Sequence, residues 1–93
     1  MDLTGHLRVS LAGRDKGRVC AVVGVADEEN FVLIADGKMR KVESPKKKKL
    51  KHLKEIDWAP AELTMLPEGE KITNRSIRES IARVEELKRT DVV

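Results

Sequence analysis

Two glycines within five residues, Gly13 and Gly17, punctuate a charged joint between two apolar runs, and this limits the fold more than anything else in the chain. Before the joint, Leu7, Val9 and Leu11 alternate with Arg8 and Ser10, the period-2 pattern of a half-buried strand. After it, residues 19–25 form a nearly continuous valine-rich run, which reads as a second strand. A joint this short with two glycines calls for positive φ, which glycine reaches without a Cβ clash. Arg14, Lys16 and Arg18 crowd their cationic side chains onto the same joint. Cations fixed on rigid strand ends suit phosphate contact, and the competing reading is a hairpin with solvated charges.

The stretch Gly13-Arg14-Asp15-Lys16-Gly17-Arg18, followed by apolar residues, resembles the KOW motif of ribosomal proteins and transcription elongation factors. The longer match covers about residues 5–53. It takes in Val22-Val23-Gly24-Val25, then Asn30-Phe31-Val32-Leu33-Ile34-Ala35-Asp36-Gly37, then a basic segment ending Leu50-Lys51-His52-Leu53. That order is similar to the small bacterial KOW-domain RNA-binding proteins, relatives of the fourteenth eukaryote- and archaea-type protein of the large ribosomal subunit. The resemblance implies a small five-stranded SH3-like barrel and a ribosomal or ribosome-associated RNA ligand, with ribosomal proteins as further partners. Residues 57–93 lie outside it.

Ninety-three residues suit one small domain with a thin core. The single cysteine, Cys20, excludes an internal disulfide framework and fits a reducing, cytoplasmic compartment. Neither a membrane-spanning apolar stretch nor a secretory pattern at residues 1–5 is expected. The net charge of +3 hides a strong asymmetry: residues 1–37 carry −2, residues 38–54 carry +8 and residues 55–93 carry −3. A patch that dense attracts polyanions.

The pattern predicts five short strands and one helix, a mainly β fold. The barrel takes residues 1–56, including the basic segment 38–54. Residues 31–35 read as the third strand, and Asn30 before them tolerates a left-handed conformation. Asp36-Gly37 is a two-residue hairpin signal, so residues 38–43 are expected to return as the fourth strand, with Met39 and Val42 as inward residues. Residues 46–56 are ambiguous. Leu50, Leu53 and Ile56 recur every three residues, which hints at a helix, whereas the resemblance implies a fifth strand closing the barrel. Residues 57–72, with Pro60, Pro67 and Gly69, read as a connecting loop. A helix over 73–89 follows, packed on the barrel. Thr73 is its N-cap, Ile72 is placed to staple onto Ile77, and Ile77, Ile81, Val84 and Leu87 make its apolar stripe.

The candidate RNA-binding residues are Arg14, Lys16 and Arg18 on the turn, Lys38, Arg40, Lys41, Lys46, Lys47, Lys48, Lys49 and Lys51 in the basic segment, and His52 beside them. Gly13, Gly17 and Gly37 are the structural turn residues. Lysine is a point charge without the planar fork that reads guanine edges, so backbone contact is favoured and Arg40 is the best candidate for a specific one. Only Phe31 and Trp58 are aromatic. Phe31, which opens a strand, is expected in the core rather than as a stacking platform, and Trp58, the sole stacking candidate, is expected to pack the loop or helix onto the barrel. Structured RNA, read through phosphates, 2′-hydroxyls and shape, is therefore the expected ligand. No catalytic constellation, cofactor motif, metal-ligand spacing or small-molecule site is expected, and Cys20 among valines reads as inert packing. The alternative is an SH3-like protein-interaction module docking onto the translation or transcription machinery through the Trp58 region and the helix.

Overall fold

The computed structural model describes residues 2–67 and 71–90; Gly69, expected in the connecting loop, lies outside them. Among the described residues five strands precede one helix: β1 (Leu7–Ser10), β2 (Val19–Val25), β3 (Phe31–Ala35), β4 (Lys46–Lys49), β5 (Leu53–Glu55) and α1 (Asn74–Thr90). All pairings are antiparallel, in the order β4-β3-β2-β1-β5.

That order forces the sheet to close. β4 and β5 lie on opposite edges, which in a flat five-stranded sheet would be roughly 19 Å apart at ~4.8 Å per strand. They are joined only by the 3₁₀ turn Leu50–His52, which advances about 2 Å per residue. The sheet must therefore curl until the end of β4 comes round to the start of β5, giving a small five-stranded barrel of SH3-like order. A register shift between Val22 and Gly24 leaves Val23 without a β3 partner, and such a bulge supplies the bend that curling needs.

β2 explains its own sequence, because both of its faces are covered. Cys20 and Val22 point into the barrel with Val32, Ile34 and Leu53. Val19 and Ala21 point the other way, joining Leu7, Ala35, Ile56, Leu66, Ile77 and Val84 beneath α1. The second cluster extends a core too thin to stand alone. Ile77 and Val84 are fully buried on the expected stripe, with Ile81 packed beside them. Ser80 is also buried on that stripe, where a polar residue gave no sign of it.

The N-cap is Thr73, as expected. Its hydroxyl accepts from Ser76 N at 3.0 Å, and the Ser76 hydroxyl accepts from Thr73 N at 2.9 Å. This satisfies two donors reciprocally, with serine in the role glutamate often plays. Trp58 packs against the α1 cluster and donates from Nε1 to the Val84 carbonyl at 2.9 Å, with Lys88 Nζ 4.5 Å from its ring centre. The loop it belongs to contains a 3₁₀ turn, Ala61–Thr64, and returns to the N-terminal segment through a His6–Met65 bridge and Leu66 N donating to Gly5 O.

Three expectations need correction. Residues 38–43 are not a strand. Asp36 N and Gly37 N both donate to Arg40 O, while the Asp36 carboxylate accepts from Lys38 N and Arg40 N, curling the chain into a loop that continues to the start of β4. Met39 is 82% exposed there, whereas Val42 is partly buried. Residues 46–56 are neither a helix nor one strand but β4, the 3₁₀ turn and β5. Phe31 belongs to neither core cluster: strand alternation sends Val32 and Ile34 inward and leaves Phe31 half-buried on the outer face.

Candidate nucleic-acid interface

The turn between β1 and β2 is built as its composition requires. Gly13 and Gly17 have φ of +84° and +85°. Ser10 and the turn exchange backbone hydrogen bonds, Ser10 N donating to Arg18 O at 2.9 Å and Gly17 N to Ser10 O at 2.7 Å. Arg14, Lys16 and Arg18 are exposed on it.

The loop 36–45 stands against this turn, and α1 holds it there. Arg78 donates from Nη1 to Gly37 O at 2.8 Å. Asn74, the first residue of the helix, accepts from Val42 N at 2.8 Å and donates to the Glu43 carboxylate. Gly37 is buried at φ +81°, and a Cβ there would lie 2.5 Å from Asn74 O. Only glycine fits, so the helix decides where the loop's cations stand.

Between turn and loop lies a cleft of about 310 Å³. Arg14, Arg18, Arg40 and Lys46 line it with Met39, over an apolar floor of Val19, Cys20, Ile34 and Ala35. Residues expected from two separate segments thus converge on one site. Asp15 and Asp36 also line it. Cys20 is 5% exposed, and its thiol is pushed up to about 12 by burial and by the nearby Asp15 charge, against which Lys48 acts only partly. Its side chain forms part of the cleft floor.

The tetralysine is divided by strand alternation. On the inner side, Lys48 is 6% exposed and donates from Nζ to Ala12 O at 2.6 Å and to Asp15 Oδ1 at 2.9 Å. Lys46 Nζ lies 3.9 Å from the other Asp15 oxygen. Ser10 Oγ donates to Asp15 Oδ1 at 2.9 Å. Burial alone would raise the Asp15 carboxyl, but the hydrogen bonds from Lys48 and Ser10 and the charges of Lys48 and Lys46 outweigh it and hold the group below its ordinary value. On the outer side, Lys47 and Lys49 are exposed, with Nζ at 5.3 and 5.9 Å from the Phe31 ring centre, and Lys47 also pairs with Glu28.

Lys48 therefore departs from the expectation of a ligand-facing cation: in this fold it fastens β4 to the glycine turn. His52 is half-buried in the 3₁₀ turn, where its carbonyl accepts from Leu11 N at 2.8 Å. Lys38, Lys41 and Lys51 are exposed. The reading by residue type missed three positioning groups, Asp15, Asn74 and Arg78. Asp15 carried a signal, being the one acidic residue among the cations of the turn.

Among the described residues no group of three or more His, Cys, Asp or Glu side chains could hold a metal ion, and no helix is long and apolar enough to cross a membrane. The chain matches no model of a known protein family and no curated protein.

Proposed function

We propose that the protein binds structured RNA, of the ribosome or associated with it, in the cytoplasm. One observation carries this reading: Arg14 and Arg18 from the glycine turn, and Arg40 and Lys46 from the basic segment, surround one cleft although they are far apart in sequence. Three of the four are arginines, whose planar forks engage phosphate oxygens in pairs. The scaffold supports them from behind, since Asp15 anchors the turn and Asn74 with Arg78 anchors the loop. The resemblance of residues 5–53 to KOW-domain proteins adds the ribosomal ligand class. The mechanism is electrostatic: exposed cations lie along phosphates and release counterions.

Fluorescence anisotropy against large-subunit ribosomal RNA fragments over a range of KCl concentrations tests this. With about five phosphates neutralised, log affinity falls with log salt at a slope of about −3.5 to −4.5. A flat salt response overturns the mechanism. Crosslinking in cells gives the ligand: a discrete site in ribosomal RNA supports the reading, and scattered crosslinks together with capture of an acidic protein partner replace it with a docking module.

A further inference from the structure

We propose that Phe31 is a stacking platform for one unpaired base of the bound RNA, with Lys47, Lys49 and Lys51 holding the flanking phosphates. This rests on the reading of the protein as an RNA binder and adds to it a second subsite, at the other end of the β3–β4 ladder from the arginine cleft. The case begins with register. Phe31 opens β3 and lies directly opposite Lys49, while Lys47 pairs with Leu33 two residues along the same outer face. Neighbours across an antiparallel pair are close enough for side chains to meet, and both ammonium groups do lie over the ring, at 5.3 and 5.9 Å.

The ring contributes to neither core cluster and is half-buried beneath the Lys47 and Lys49 side chains, so part of it stays at the surface. Beside it opens a cavity of about 540 Å³ lined by Glu29, Asn30, Phe31, Lys49, Leu50 and Lys51, with Leu50 37% exposed. A partly exposed apolar ring flanked by Lys47, Lys49 and Lys51, with Glu29 also lining the cavity and Glu28 paired to Lys47, matches a ligand that is flat and aromatic in one part and anionic in the next. A nucleotide has both parts, whereas an acidic peptide offers the charge without the π-face. An exposed cation–π contact is weaker than a base stacked on an aromatic ring. Phosphates arriving with the RNA would therefore draw the lysines aside while the base takes the ring.

The test uses the full chain, two fluorescent probes and two variants. One probe is an RNA hairpin with an adenine-rich loop, the other a blunt, fully paired RNA duplex of the same length. Phe31→Leu keeps apolar bulk and removes the π-face. It should lose affinity for the hairpin by about tenfold, bind the duplex as the wild type does, and leave the salt slope unchanged. Phe31→Trp should keep hairpin affinity, and its added indole emission should be quenched by the hairpin. The wild-type reference signal comes from Trp58, which sits against α1. Equal binding of both probes by Phe31→Leu and the wild type overturns the platform while leaving the RNA reading intact, and so does an equal loss on both probes. Failure of the wild type to bind either probe overturns both proposals.

Discussion

The Lys48 ammonium lies 2.9 Å from the Asp15 carboxylate across 33 residues of chain, and it is the buried member of the pair. A lysine in a run of four reads as a solvated charge, yet this one holds the glycine turn to β4. The two partners are unequal. The Lys48 side chain is 7% exposed and that of Asp15 is 25% exposed. Asp15→Asn strands an ammonium in the barrel wall and should cost about 3 kcal/mol, the low end for a broken buried pair because the carboxylate side keeps some water. Lys48→Met leaves Asp15 with Ser10 and Lys46 and fills the space with an apolar stem, so it should cost less, about 1 kcal/mol. Urea unfolding of both single variants and the double variant gives the order and the coupling. A larger loss in Lys48→Met than in Asp15→Asn would contradict this account.

The same pair sets an acid limb of stability. The folded Asp15 carboxyl sits below its ordinary value of 3.8, so the unfolded chain takes up its proton first as pH falls. The stabilisation is thus complete above that value and is lost as pH drops through the lower folded one. The stability gap between the wild type and Asp15→Asn should be constant from about pH 6 to 8 and should shrink below about pH 4. Thermal melts across that range measure it, and a gap that widens in acid would refute the assignment.

Alternation divides the tetralysine by task, and binding should divide with it. Lys47→Gln with Lys49→Gln removes two exposed cations. Stability should change by no more than about 0.5 kcal/mol, while the salt slope becomes shallower by up to about 1.5. Lys48→Gln should do the opposite, lowering the denaturation midpoint and leaving the slope of the folded protein unchanged. Anisotropy titrations at several KCl concentrations, paired with urea curves, separate the two. Identical slopes for all three proteins would mean that the outer lysines do not touch the RNA.

What the sequence made legible is what local chemistry decides. The β2 run needs only a strand covered on both faces, the Thr73 cap needs only a hydroxyl ahead of an apolar stripe, and the positive φ of Gly13 and Gly17 needs only a short joint. What stayed hidden depends on distant partners. Asp36-Gly37 has the composition of a two-residue hairpin, but Asp36 closes a loop on its own side chain and Gly37 is used for the approach of α1, 37 residues later in the chain at Asn74. The spacing of three at Leu50 and Leu53 hints at a helix, but Leu50 opens the 3₁₀ turn exposed while Leu53 opens β5 buried, so the two share no face. Phe31 looks like core until β4, made only of lysines, is known to pair beside it. The arginine cleft was foreseen as residues and not as a place, because the helix that sets the loop against the turn lies outside the stretch carrying the resemblance.

That dependence on α1 gives the sharpest stability contrast, between Gly17 and Gly37. Both have positive φ, +85° and +81°. At Gly17 an added Cβ meets nothing within 4 Å, so Gly17→Ala bears only the backbone strain, about 1 kcal/mol. At Gly37 the Cβ would lie 2.5 Å from Asn74 O and 2.9 Å from Arg78 Cγ. The flexible arginine can move, but the helix backbone cannot without leaving Ile77 and its core. Gly37→Ala should therefore add an overpacking cost to the strain and lose about 3 kcal/mol. The displaced loop should also carry Arg40 away from Arg14 and Arg18, weakening RNA binding even at temperatures where the variant is folded. Calorimetry of both variants, with anisotropy at 10 °C, measures the two effects. Equal melting temperatures for Gly17→Ala and Gly37→Ala would show that α1 does not press on the loop, and unchanged binding by folded Gly37→Ala would show that the loop's position is irrelevant to the cleft.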